Sequence, residues 1–560
     1  MIDAKIARAC YAAHEKYWVD RRPEMRRLRS AYLNRYWDKK ESPDQVLIET
    51  SRAYEFIEGY VASLFARSPA VVIKGDIRGL GNPNKAKALA NGFLSHIRQQ
   101  LEDATRLALI YPASFLKLMP NENRDPFKRV TVAAVAPWNV IVDTDAHTWD
   151  AQKLVGHRYY LTLKEARARF GNKKYSAHPL VRFLDQGIDD ERGYSGRTRP
   201  GEDEIDPVFQ YVEIVEWYDI EDNRFVVWSP DYKNGTRLLY DGLRLPAIED
   251  AEVKERKYDA IPFVDAAGNP LAPIIPLYYS RIPDMPMRGY SALRRVYDQV
   301  QETNIIRSYQ ASMVRRAARQ WVVESGVFDA EAMSKLAQGV DGEFIEVELS
   351  PGQALAGSIL PVPHAPVPAE LQSYIMQVMD DFQRGSVLAP FTRGESTRAT
   401  ATEITALAAY SSSEVGRLAR ERDSAIERCA RVYIAMMTVY LDEDSQAIII
   451  DGMPEMVSAR DLDGDFTYYA QDMGATPVSE AVKKQEFFGA LPTLIELGVP
   501  PDQILAELVR FLDLPQDFLS SVQGASSSPT QSSATTLPES SPTGVGPGGP
   551  SPEDVVRYLP

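Results

Sequence analysis

The chain has 560 residues, room for three or four domain-sized units and a sizeable core. Hydrophobic residues are 44% and charged ones 25%, which excludes wholesale disorder, collagen and a coiled-coil rod. With 63 Lys and Arg against 78 Asp and Glu, the net charge is −15, so this is not a protein that coats nucleic acid by bulk charge. Cys10 and Cys429 are the only cysteines, too few for a disulfide framework or a Cys-based zinc site, which fits a reducing compartment or indifference to redox. The longest uncharged stretches, such as 130–142, fall short of the ~18 apolar residues of a membrane span. The charged opening Met1-Ile2-Asp3-Ala4-Lys5 has no signal-peptide core, so the expectation is a chain made and assembled in a cytoplasm.

In chain order, residues 1–66 read as helical. Leu28, Tyr32 and Tyr36 recur at helical spacing, as do Phe56, Tyr60, Val61 and Leu64, until Pro69 stops the pattern. Residues 1–40 hold eleven Lys/Arg against five Asp/Glu; this asymmetry suits a surface that meets polyanion, and equally a solvated helical face. A helix is expected over 84–110 with Leu89, Phe93, His96 and Ile97 on one side, strands between Phe115 and Val142, and a short helix over 163–171. The acidic, Gly-rich stretch 185–206 suits a solvated loop. A meander follows, with strands over 209–218, 225–228 and 238–240, the last after an Asn234-Gly235 turn signal.

A long helix runs from about Ser291, its expected N-cap, to Arg319. Trp321-Val322-Val323 reads as a short strand, and Asp329 caps a helix ending near Gln338. The prolines and glycines of 350–368 predict a loop. Helices follow over about 369–384 and 400–440, then a strand over 448–450 and helices over 478–496 and 502–513. In the tail, 23 of the 36 residues from Ala525 to Pro560 are Ser, Thr, Pro or Gly, which predicts disorder.

Constellations for catalysis are sparse. Gly79 to Lys85 lacks the second glycine of a phosphate loop, and Ile448-Ile449-Ile450-Asp451 lacks that loop as its partner. Gly289-Tyr290-Ser291-Ala292-Leu293 has no closing glycine for a nucleophile elbow. Asp143-x-Asp145-x-His147 and Asp461-x-Asp463-Gly464-Asp465 place oxygens as a hard cation likes them, but neither has the Glu that completes a calcium loop, and ordinary turns explain both. The expectation is no enzyme, no cofactor and no metal. Arg307, Arg315, Arg316 and Arg319 gather toward the end of the long helix. They suit the helix dipole and equally a phosphate backbone.

The order of several pieces resembles the portal, or head-to-tail connector, proteins of podovirus-like tailed bacteriophages. The pieces are Val215-Glu216-Trp217-Tyr218-Asp219, Ile275-Pro276-Leu277-Tyr278-Tyr279, Arg288-Gly289-Tyr290-Ser291-Ala292-Leu293 and Tyr297-Asp298-Gln299 with Glu302-Thr303-Asn304. To these add Thr400-Ala401-Thr402-Glu403-Ile404 and the early Glu58-Gly59-Tyr60-Val61-Ala62-Ser63-Leu64-Phe65. The likeness spreads over roughly 20–520. It implies an α+β portal-type fold with long stem helices, a mixed α/β wing and a C-terminal helical crown, closed into a ring, usually of twelve subunits.

By position the resemblance implies a wing over 1–290, a first stem helix over 291–319, a clip over 320–328 and a second stem helix and strand over 329–349. A channel (tunnel) loop over 350–368, a wing return over 369–475, a crown over 476–523 and a tail over 524–560 complete it. Implied candidates facing DNA in the channel are Arg307, Arg315, Arg316, Arg319, Lys335, Gly352, Gln353, Gly357, Ser358 and His364. The implied partners are other copies of the chain, double-stranded DNA in transit, the terminase large subunit, a head–tail adaptor, and capsid and scaffold proteins, with no membrane. The implied place is the portal vertex of the virion, after assembly in the host cytoplasm. Two other readings stay open: a metal-dependent DNA-processing enzyme using the Asp143 or Asp461 group, and an internal or ejected virion protein meeting membrane through aromatic, basic residues 1–40.

Overall fold

Helix α1 (Ala4–Tyr32) starts where the Asp3 carboxylate accepts the Ile6 N–H, and it buries Ala7, His14, Trp18, Met25, Leu28 and Ala31 along one face. Asn34, at φ +54°, turns the chain out of the helix. Helix α2 (Arg52–Leu64) buries Phe56, Tyr60, Val61 and Leu64 as their spacing predicts. The single helical reach expected over 1–66 is therefore two helices with an extended segment between them. The computed structural model describes residues 2–37, 46–66, 68–75, 81–123, 125–179, 184, 210–246, 255–265, 267–283, 285–317, 321–323, 329–338, 359–361, 369–386, 401–441, 446–450 and 453–471. The acidic stretch 185–206, the crown over 476–523 and the tail over 524–560 lie outside the described residues.

After strand β1 (Val71–Lys74), the helix expected over 84–110 is two, α3 (Pro83–His96) and α4 (Arg98–Ile110). Leu89, Phe93 and Ile97 are buried, whereas His96, expected beside them, is exposed. Strands β2 (Ser114–Pro120) and β3 (Val130–Val135) pair antiparallel. Next come β4 (Val140–Val142), β5 (Leu154–Thr162), the short helix α5 (Leu163–Phe170), β6 (Tyr211–Asp219), β7 (Arg224–Trp228) and β8 (Leu238–Asp241). These five strands form one antiparallel sheet in the order β4-β5-β6-β7-β8, the expected meander with two strands added. The alternation of β6 separates two apolar layers. Val212, Ile214 and Tyr218 join the main core, while Val215 and Trp217 pack with Ile2, Ala7, Val226 and Trp228. Asn234 and Gly235 do not make a two-residue hairpin. Both take positive φ in a longer link, where Gly235 lies against the Trp228 ring and accepts its indole N–H at 2.9 Å.

Strands β9 (Leu243–Pro246) and β10 (Glu255–Tyr258) pair with each other, β11 (Ile274–Leu277) adds to β2, and β12 (Arg281–Ile282) pairs with β13 (Met285–Gly289). A Cβ at Gly289 would fall 1.6 Å from the Pro112 carbonyl oxygen, so this close approach admits only glycine. Two residues on, the Ser291 hydroxyl donates to Ile110 O at 2.7 Å and accepts the Arg294 N–H at 3.2 Å. The capping role read from the sequence thus also fastens the next helix to the end of α4.

That helix, α6 (Arg294–Ala317), has 24 residues and is about 36 Å long. Along one edge of it runs the extended segment 46–50. Thr50 N–H donates to Asn304 Oδ1 at 2.9 Å, Ile48 N–H to Ser308 Oγ at 2.8 Å and Val46 N–H to Ser312 Oγ at 3.0 Å. Two residues of extended chain advance about 6.6 Å and four residues of helix about 6 Å. The two repeats stay in step, and a helix edge serves as the partner of a strand.

Strand β14 (Trp321–Val323) forms where the sequence predicts it, and Asp329 Oδ1 accepts the Ala332 N–H at 2.7 Å to cap α7 (Ala330–Gln338). Within the Pro-rich stretch 350–368, read as loop throughout, Ile359–Pro361 is a strand, β15, paired antiparallel with β14. The element packed along α6 is α8 (Ala369–Ser386). Tyr374 donates to Glu302, and a Cβ at Gly385 would lie 3.2 Å from Val296, so the two helices run antiparallel. Helix α9 (Ala401–Tyr440) spans 40 residues. Its second half enters the core, where Tyr433 stacks on Phe93 at 3.9 Å. A hairpin of β16 (Gln446–Ile450) and β17 (Met453–Val457), the short helix α10 (Ala459–Leu462) and β18 (Thr467–Ala470), paired to β1, complete the described chain.

Asn304 is fully buried and its carboxamide oxygen also takes the Thr50 hydroxyl at 2.7 Å. Asn304→Ala leaves two buried donors unpaired and should lower the unfolding free energy by about 2 kcal/mol. Urea denaturation checks this; an unchanged midpoint would mean the ladder adds nothing.

Candidate functional site

Two regions carry features that a purely structural chain does not need. The first is the pair α6 and α8. Four large apolar side chains stay exposed on it: Ile305 at 48%, Tyr309 at 58%, Tyr374 at 44% and Met376 at 71%. On α6, Val296, Val300 and Ile306 are buried, so the helix has a buried side, an edge taken by residues 46–50 and an exposed side with Ile305 and Tyr309.

The channel candidates are not gathered into one site. Arg307 is exposed on α6. Arg315 and Arg316 lie in its last turn, and Arg319 lies outside the described residues. Lys335, on α7, pairs with Glu331 at 2.9 Å. Gly352, Gln353, Gly357, Ser358 and His364 also lie outside the described residues.

The aspartate groups form turns. Asp145 N–H donates to Asp143 Oδ1 at 3.0 Å, and Asp143 N–H to Gln152 Oε1 at 2.8 Å. Asp461 accepts from Ser458 and pairs with Lys85 at 3.2 Å. Among the described residues no three His, Cys, Asp or Glu side chains are grouped to hold a metal ion. The aromatic, basic helix α1 uses its rings internally. Tyr17 lies between the guanidinium groups of Arg21 at 3.6 Å and Arg288 at 3.4 Å, and Trp18 is buried in the core. No helix among the described residues is long and apolar enough to cross a membrane.

The second region is a cleft of about 860 Å³ over one face of the five-stranded sheet. Strand register builds its floor: His157 on β5 pairs with Glu216 on β6, Glu216 with Val227 on β7, and Val227 with Tyr240 on β8. These four side chains form one cross-strand row. From β2, Lys117 reaches the row, 2.5 Å from Glu216 Oε2 and 2.8 Å from His157 Nδ1. Tyr159 donates to Glu216 Oε1 at 2.6 Å, and Arg169, from α5, lies 3.4 Å away. Lys117, His157 and Glu216 are each at most 7% exposed.

Burial by itself raises the Glu216 carboxyl, but the Lys117 and Arg169 charges overcome it and hold it at about 2. Burial, and then the Lys117 charge, keep His157 neutral, well below its ordinary value. Burial weakens the Lys117 ammonium, while Glu216 holds the proton in place. On the opposite face of the same strands, Arg158 joins Glu15 and lies 3.7 Å from Glu213. Above it the buried His14 bonds the Trp138 carbonyl oxygen at 3.0 Å, and burial lowers it to about 3.

Sequence reasoning missed the cleft. Its one signal was a lysine inside the apolar run Phe115-Leu116-Lys117-Leu118-Met119, which asks for a buried counter-charge without saying where it stands in the chain.

No protein-family model matches this chain, and no curated protein matches it.

The two lowered histidines set a pH dependence. Each has a folded value below its unfolded one, so its contribution is complete above about pH 6.5 and is lost as pH falls. The unfolding free energy should drop by up to about 1.4 kcal/mol per pH unit for each histidine below that point. Denaturation at pH 7.5, 6.5, 5.5 and 4.5 measures it, and His157→Gln, which keeps an acceptor for Lys117, should flatten the slope. An equal slope in the variant removes His157 from the account.

Proposed function

We propose that this chain is the subunit of a phage portal: a ring, usually of twelve copies, at one capsid vertex, through which double-stranded DNA is packaged and ejected. The observation that carries the reading is the antiparallel pair α6 and α8, which exposes Ile305, Tyr309, Tyr374 and Met376 on one chain and therefore suits burial against neighbouring copies. In a heterologous ring each subunit offers two different flanks, which accounts for apolar residues spread around α6.

The packing of α8 along α6 favours a revised division of the lower part. The stem is Arg294–Ala317 with Ala369–Ser386, and the segment 318–368 between their far ends, with its β14–β15 ribbon, is the clip. This replaces the clip over 320–328 and the second stem helix over 329–349. Gly352, Gln353, Gly357, Ser358 and His364 then fall within the segment read as the clip.

A conduit must let DNA slide, and each neutralised phosphate adds to binding through counterion release. A chain of net charge −15, repeated around a bore, repels DNA on average, and a few arginines offset that locally. The partners of this reading are the terminase large subunit, a head–tail adaptor, capsid and scaffold proteins and the DNA in transit. The ring itself performs no catalysis.

Negative-stain images of the purified chain should show annular particles with a central hole; monomers at every salt concentration would overturn the reading. Ile305→Glu with Tyr309→Glu should abolish the rings while leaving the circular dichroism of the monomer unchanged, because both side chains are exposed in the single chain. Replacing Arg315, Arg316 and Arg319 together by Ala should keep rings intact and change DNA retention or adaptor docking. Normal packaging in that variant would leave these arginines as helix-end charges.

A further inference from the structure

The cleft over the five-stranded sheet is lined by no residue of α6 or α8, and it has the form of a ligand site. Its volume of about 860 Å³ lies within the usual ~300–1,000 Å³ range of small-molecule pockets. Its walls are apolar and aromatic, among them Leu161, Phe170, Phe225, Leu243 and Phe263. Polar groups converge at its floor.

The hydrogen bonds of the floor are unbalanced in one direction. Glu216 accepts from Lys117, Tyr159 and Arg169, so its lone pairs are engaged. Lys117 has three N–H donors and gives one to Glu216 and one to His157 Nδ1. The third has no protein acceptor among the described residues. Because Nδ1 of His157 accepts from Lys117, the proton of the neutral ring sits on Nε2, and this donor too has no protein acceptor among the described residues. The Tyr240 hydroxyl, in the same cross-strand row, is buried without a hydrogen-bond partner. Over the whole lining the charges balance, Lys117, Arg169 and Arg244 against Glu122, Glu165 and Glu216, so the direction is set by the buried donors of the floor. Glu122, Glu165 and Arg244 also line the cleft, and Glu165 is held in the capping box of α5 by Thr162.

Surplus buried donors, one of them the Lys117 ammonium, above an apolar wall suit a ligand with an anionic acceptor at one end and a hydrocarbon or aromatic body. We propose that this cleft binds one amphipathic carboxylate per chain, its carboxylate meeting Lys117, His157 and Arg169 and its apolar body lying along Phe170, Phe225 and Phe263.

Isothermal titration of the full chain with decanoate, and with decan-1-ol as the uncharged control, tests this. Decanoate should saturate at one molecule per chain, and decan-1-ol should bind roughly tenfold more weakly or not at all. Arg169→Gln, at a half-exposed position, should weaken decanoate several-fold. Lys117→Met combined with Glu216→Gln removes both buried charges together and so avoids an unpaired one; it should weaken decanoate roughly tenfold. If the double variant does not fold, Arg169→Gln decides alone. No saturable decanoate binding, equal affinity for decan-1-ol, or decanoate affinity unchanged in the folded variants overturns the proposal. Ring formation, read by imaging, is independent of each of these outcomes.

Discussion

The helix Arg294–Ala317 is fastened at its base and along one edge by buried hydrogen bonds and close backbone packing, while Ile305 and Tyr309 stay exposed on it. At the base, Gly289 lets β13 pass against Pro112 with no room for a side chain, and Ser291 ties the first turn to the end of α4. Along the edge, Asn304, Ser308 and Ser312 accept every second amide of residues 46–50. Short side chains suit this work because they lose little rotamer entropy when fixed. Had these three been large apolar residues, the extended segment would have no acceptors for its amides, which is costly in a buried place.

Opposite demands meet in the five-stranded sheet. Both faces of β6 are covered, so its charged residues are forced inside. Glu213 goes to the face of Arg158, and Glu216 to the face of Lys117. Buried ion pairs contribute little net stability compared with apolar packing, but removing one partner is severe. Their effect is to fix register, since a slip of one residue would place Glu216 against Arg158 and leave Lys117 uncompensated. A sheet fixed in this way can carry a cleft on one side and helix α1 on the other.

The helix pair α6 and α8 and the five-stranded sheet differ in kind. The helix pair leaves apolar side chains uncovered, Ile305, Tyr309, Tyr374 and Met376 among them. The cleft leaves hydrogen-bond donors without a protein acceptor among the described residues. Neither depends on the other, and a single chain can hold both, because they lie on separate elements of the fold.

Much of the element order was legible in the amino-acid sequence. Local rules sufficed: helical spacing located α2, strands were expected between Phe115 and Val142, where β2 to β4 lie, and Asp329 and Ser291 marked helix starts. What the sequence could not supply were relations between distant residues. The break at Ile97, the strand within a Pro-rich stretch, the exposure of His96 and the ladder from residues 46–50 to α6 all follow from packing between segments far apart in the chain. The choice of α8 rather than α7 as the partner of α6 is of the same kind. Composition and periodicity determined which pieces form, since these depend on neighbours within a turn or a pleat. Only the tertiary structure decided which pieces touch and where Lys117 finds its counter-charge, because burial and pairing energies act through space rather than along the chain.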